Sequence, residues 1–311
     1  MPPFFLRAMP IDLIFEDASH KSLIDAKNSC HWCETMFFNG RYINSSTAFI
    51  GVDSSILSGG IGATETIICK GNEPYKMILW RDHYFNICKI ISILGFSQQQ
   101  LPTADDFLRS MRILSQRNHY PAFSRVQITF WQQNDNPLKL SWAMHQERLD
   151  VDPMEVNTNT LKLCSFDDDL LAKSATVSVA MPSAIQTLAK RYATEQKFDE
   201  ACLRNFEGKF VVSTMGNIFI VVGQTVVAVE REAGARCDAV GECLSRACRS
   251  AGFALQFTNG FTERMLSDES NEIFLAGAAF GIRIVDGFND RRFMKNKVLR
   301  ISQAFRDLFI F

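Results

Sequence analysis

The sequence has no excess of either charge and no long apolar run. Its 33 lysines and arginines meet 34 aspartates and glutamates, leaving a net charge of -1, so no basic field argues for nucleic acid. No apolar run approaches the roughly 20 residues of a membrane span. Arg7 and Asp12 interrupt the short apolar runs at the start and no small-residue cleavage site follows them, which is not the pattern of a signal peptide. Cys30 and Cys33 flank His31 in CHWC, but the second close pair that a zinc site wants is missing. Cys243, Leu244, Ala247 and Cys248 fall on one face of a helix expected from Asp238 to Ala251, and read as core. Gly59, Gly60 and Gly62 lack the spaced lysine of a P-loop. There are no repeats or low-complexity tracts. These absences lead us to expect no metal, no nucleic acid and no membrane partner, and a cytoplasmic protein with reduced thiols.

What is present is a long chain with an ample core. The 311 residues, 47% apolar, favour two domains. With 26 phenylalanines against 5 tyrosines, the aromatics read as core and interface packing. The organising stretch runs from Ser174 to Val229. Ala184, Ile185, Leu188, Ala189, Tyr192 and Ala193 recur at helical spacing behind Pro182, which suits a first helical turn. Short runs rich in β-branched residues follow, ACLRN, KFVVS, NIFIVV and TVVAV, divided by Gly208, Gly216 and Gly223. A helix feeding such strands predicts an α+β core. Earlier, a helix is expected from Asp82 to Leu94 with Ile87, Ile91 and Leu94 on one face, and Thr103 with Asp106 predicts a capping box. RVQITFWQQ and KLSWAMHQ read as strands, and His83 and His145 as hydrogen-bonded rather than ligating.

LAKRYATEQKFDEACLRN followed by NIFIVV resembles the fold-class IV pyridoxal-phosphate family, which holds branched-chain and D-amino-acid aminotransferases and aminodeoxychorismate lyases. FFNGRYI with VDSSILSGGIGATETI, LWRDHYFNICKIISILGF and EIFLAGAAFGIRIV agree with it in the right order, from about Met36 to the C-terminus. The resemblance implies a two-domain α+β fold, a smaller domain over 36–150 and a larger one over 151–311, with the cofactor cleft between the two domains. Residues 1–35 precede the match as an N-terminal extension whose apolar runs suggest packing as a strand or cap.

The resemblance also says where the family's chemistry should sit. Its Schiff-base lysine falls on Val179, with Lys173 as the fallback if a gap intervenes. The carboxylate that faces the pyridine nitrogen falls on Val212, the phosphate-binding arginine on Asn86, and the threonine of the turn that closes over the phosphate on Ala278. The second phosphate loop falls on Cys237 to Gly241, including Val240, and there Asp238 adds a negative charge. Every position departs from the family pattern in the same direction. The expected function is therefore an aminotransferase class IV-like protein with a vacated cofactor site, a non-catalytic homologue acting through binding, with no cofactor. The alternative is an active aminotransferase or aminodeoxychorismate lyase-type enzyme using pyridoxal phosphate. The expected partners are a second copy in a homodimer, a paralogous subunit, or a small molecule in the cleft, where Arg236 and Arg283 would supply anion contacts.

Overall fold

In a computed structural model of the chain, residues 32–309 are described apart from 52–53, 59–61, 72–74, 134–135, 157–158 and 172–183. Nearly all of the expected N-terminal extension, together with Lys173, Val179 and Pro182, lies outside the described residues.

The first half builds β1 (Thr35–Phe38), β2 (Arg41–Asn44), a short helix Ser55–Ser58, β3 (Ala63–Lys70), β4 (Lys76–Met77), the helices Trp80–Ile93 and Ala104–Arg117, then β5 (Phe123–Gln133) and β6 (Asn136–Leu149). The strands form one sheet in the order β2-β1-β6-β5-β3-β4. Alternation along β5 puts Val126, Ile128 and Phe130 on one buried face. Against it pack Ile87 and Ile91 of the first long helix, and Phe107, Met111 and Leu114 of the second. The first of these helices ends at Gly95, whose φ of 71° suits a residue without Cβ. The second opens on the expected capping box, with the Thr103 hydroxyl accepting from the Asp106 amide and the Asp106 carboxylate from the Thr103 amide.

The second half runs β7 (Leu161–Leu171), the helix Ala184–Glu195, β8 (Glu200–Asn205), β9 (Phe210–Ser213), β10 (Asn217–Val222), β11 (Thr225–Val229), the helix Gly241–Ser250, β12 (Ala254–Thr258), the helix Glu263–Ser267, β13 (Glu272–Gly277), β14 (Gly281–Phe288), β15 (Arg291–Arg292) and the helix Asn296–Asp307. Parallel β7 and β8 are joined across the helix Ala184–Glu195, as a parallel pair requires. β9 bonds to β8 on one side and to β10 on the other. The hydrogen-bonded order β10-β13-β14-β7-β8-β9 therefore closes on itself, and β11 and β12 continue outward from β10. One apolar cluster on this ring includes Leu203, Phe210, Val212 and Phe288. A second unites the helices Gly241–Ser250 and Asn296–Asp307 with β13 and β14, and takes in Ile68 and Ile78 from the first half.

The helix Ala184–Glu195 departs from expectation. Ala189 and Ala193 are fully buried, but Leu188 and Tyr192 are 57% and 39% exposed. The helix lies close enough to β7 and β8 that its smallest side chains make the contact, so the buried stripe is narrower than the spacing of apolar residues suggests. Tyr192 meets the edge of Phe166 instead, at 5.5 Å between ring centroids.

Candidate functional site

Glu65 is the one carboxylate of β3, and it shares the buried face of that strand with Ala63 and Ile67. On the helix Trp80–Ile93, His83 and Asn86 stand three residues apart and so project to the same side. His83 Nδ1 lies 2.5 Å from Glu65 Oε1, and Asn86 Nδ2 donates to Glu65 Oε2 at 2.9 Å. His83 Nε2 is buried with no hydrogen-bond partner among the described residues. Asn86 Oδ1 accepts from the Cys237 thiol at 2.5 Å, tying this pair to the loop before the helix Gly241–Ser250. In that loop Asp238 Oδ1 accepts two amide hydrogens, from Val240 and from Ala278, each at 2.9 Å. Ala278 belongs to the turn between β13 and β14. Phe280 closes over that turn: a Cβ on Gly216 or Gly277 would come within 2.6 Å of its ring, which would have to shift to admit one.

Burial dominates the electrostatics of this cup. It pushes both Glu65 and Asp238 above the usual carboxylate range. His83 and Asn86 oppose that shift at Glu65, while the neighbouring Asp238 adds to it. At Asp238 the two amides, His83 and Arg236 oppose it. Burial likewise pushes the Cys237 thiol up, against the pull of Arg231 and Lys89, which agrees with its role as a donor to Asn86.

Val212 stands apart. It lies on β9, opposite Leu203 of β8 and Asn217 of β10, and is packed in the ring's apolar cluster. Its link to the cup runs through Asn217, whose side chain accepts from the Arg236 amide at 2.7 Å and donates to the Arg236 carbonyl at 3.1 Å. The guanidinium of Arg236 donates to main-chain carbonyls, from Nη1 to Met215 at 3.1 Å and from Nη2 to Thr214 at 3.0 Å and Ser213 at 3.4 Å. These bonds fix Arg236 at the turn between β9 and β10, and its charge acts on the Asp238 carboxylate. Arg283 lies on β14 opposite Leu275, and burial, then the like charge of Arg125, lowers its pKa.

Of the positions picked from the sequence, Asn86, Val240 and Ala278 come together around Cys237 and Asp238, Val212 sits at the ring closure, and Val179 and Lys173 are outside the described residues. Glu65 escaped notice, although a lone carboxylate at the parity of Ala63 and Ile67 in an apolar strand was the signal. For a phosphate dianion the described cup is a poor fit. Its two amides already serve a carboxylate, a second carboxylate adjoins, and Asn86 is committed on both sides.

No protein-family model matches the sequence, and no curated protein matches it. Solved structures match the fold strongly. The branched-chain aminotransferase of Thermoproteus uzoniensis, solved with norvaline, aligns with a TM-score of 0.76 at 19% identity, covering 89% of this chain and 94% of that one. The branched-chain amino acid aminotransferase of T.th., solved with pyridoxamine 5'-phosphate, gives 0.77 at 16% identity over 88% and 93%. A hypothetical aminotransferase from Mycobacterium tuberculosis in its PLP-bound form gives 0.74 at 12% identity over 89% and 98%.

These neighbours correct the expectation that no cofactor goes with this chain, because structures sharing its fold hold pyridoxal or pyridoxamine phosphate. The expectation gave too much weight to individual contacts. The departures at Asn86, Val212 and Ala278 each remove one expected contact and leave the fold standing, and the lysine position itself is not among the described residues. Among those residues, no helix is long and apolar enough to cross a membrane. In architecture, then, the chain is an α+β protein with the fold of the branched-chain aminotransferases, the fold-class IV pyridoxal-phosphate enzymes.

Proposed function

We propose that this aminotransferase class IV-like protein works by binding rather than by turning over amino acids. Val212 supports the reading most directly. At the place where the resemblance puts the carboxylate that faces the ring nitrogen, β9 carries a valine that is 1% exposed and paired on both sides. A pyridinium there would be a buried charge with no partner, at a cost on the order of several kcal/mol. The reading is compatible with a pyridoxal ring held without a covalent bond.

A second reading is favoured by the molecules bound in the neighbouring structures: an active aminotransferase or aminodeoxychorismate lyase-type enzyme whose imine lysine is Lys173. One experiment separates the two. The purified protein is incubated with pyridoxal phosphate, reduced with borohydride and analysed by peptide mass spectrometry. Under the binding reading no lysine carries a stoichiometric pyridoxyl group. A stoichiometric adduct on Lys173 would establish the enzymatic reading and end the first.

The partner we propose is a second copy of the chain. Phe49, Phe85 and Leu57 are 83%, 69% and 59% exposed in the single chain, and a like surface is the simplest cover for such residues. Light scattering at micromolar concentration should return a dimer mass, and a monomer mass would refute the proposal.

A further inference from the structure

We propose that Asp238 is a resident anion: its carboxylate occupies the seat formed by the amides of Val240 and Ala278, and so keeps a phosphate group out of it. The inference concerns the anion seat and not the imine lysine, so its failure and that of the functional reading show in different measurements.

The two amides come from separate elements. Val240 caps the ten-residue helix Gly241–Ser250, whose N-terminal end favours negative charge. Ala278 sits in the turn between β13 and β14. Both point their hydrogens at the same oxygen of Asp238. Amides converging from distant parts of a chain make a seat for an anion, and in this protein the anion is covalently part of the chain. A tethered group competes at an effective concentration of roughly millimolar or above, so a free anion of similar intrinsic affinity does not displace it at ordinary concentrations.

The surroundings reinforce the exclusion. Of the charged and titratable groups that act on Asp238, Arg236 and His83 favour its ionised form. Arg236 Nη1 and Nη2 donate to three carbonyls, and His83 meets Glu65 through Nδ1 while its Nε2 has no hydrogen-bond partner among the described residues. Glu65 repels a second anion, and the Cys237 thiol is held by Asn86. An incoming dianion would meet two carboxylates in this cup, Asp238 in the seat and Glu65 beside it.

The test titrates inorganic phosphate into the wild-type protein, Asp238→Ala and Asp238→Asn, with chloride at matched ionic strength as the control and thermal unfolding as the readout. The wild-type midpoint should not move beyond the chloride control. Asp238→Ala frees both amides and should be stabilised by phosphate, with an apparent affinity about tenfold or more above wild type. Asp238→Asn keeps an oxygen acceptor in the seat and should stay unresponsive. A wild-type response equal to that of Asp238→Ala would overturn the proposal, as would a folded Asp238→Ala that ignores phosphate. Should Asp238→Ala fail to fold, the wild type decides by itself: it should bind pyridoxal phosphate no more tightly than pyridoxal, and a gain of about tenfold or more from the phosphate group would refute the resident anion.

Discussion

The ring closure at β9 and the cup around Asp238 are neighbours, joined through Asn217 and Arg236, and they fill their interiors by opposite means. At the closure, Val212 and Phe210 are packed by apolar side chains, and the strands satisfy their own main-chain groups. In the cup, Glu65, His83, Asn86 and Cys237 form one side-chain network across a strand, a helix and a loop, and Asp238 beside them accepts from the amides of Val240 and Ala278. Apolar packing fails in proportion to the volume removed, whereas a polar network fails when one member leaves another unpaired and buried. The two places should therefore respond differently to substitution and to pH.

The largest expected effect is at the closure. Phe210 is fully buried, meets Phe288 edge-on at 5.6 Å and carries the Arg204 guanidinium 3.8 Å above its ring. Phe210→Ala should lower the unfolding free energy by about 3 to 5 kcal/mol, since the ring of strands cannot collapse into the space left behind. Urea unfolding followed by tryptophan fluorescence measures it. A loss below about 1 kcal/mol would mean that this cluster does not hold the closure as its packing implies.

The same contrast explains what could be read from the sequence. The strands from Glu200 to Val229, the capping box at Thr103 and the buried Cys243 and Cys248 follow from short-range spacing, and the structure has them where they were expected. Asn86, Val240 and Ala278 were found by resemblance. The cup as a network was not legible, because Glu65 meets His83 across an 18-residue separation and Cys237 meets Asn86 across 151. No local period records contacts of that kind. Arg236 reads in sequence as a surface charge or an anion contact, yet carbonyls brought by a turn more than twenty residues earlier in the chain hold it. Leu188 and Tyr192 mislead for the opposite reason: they have helical spacing, but the helix meets the core through Ala189 and Ala193 with Ile185 partly buried beside them.

A smaller effect, and one that separates the cup from the closure, is the pH dependence introduced by Glu65. Burial raises its folded-state pKa above the value in the unfolded chain, and the nearby Asp238 adds to the shift while His83 and Asn86 oppose it. A carboxylate shifted upward contributes its full stability below the unfolded pKa, where it is protonated in both states, and loses that contribution as pH rises through the folded pKa. Wild-type stability should therefore decline relative to Glu65→Gln across that window, by at most about 1.4 kcal/mol per pH unit for one proton, and the two curves should run parallel above it. Asp238 shifts in the same direction but is present in both proteins, so the difference isolates Glu65 and its coupling to Asp238. The constant offset between the curves reports the hydrogen bonds that glutamine cannot reproduce with His83 and Asn86, and the slope reports titration alone. Urea midpoints for both proteins at closely spaced pH values from about 4 upward would show it. Curves parallel throughout, or a wild type that gains on Glu65→Gln as pH rises, would mean that the Glu65 carboxylate is held ionised by His83 and that attraction, not burial, governs the cup.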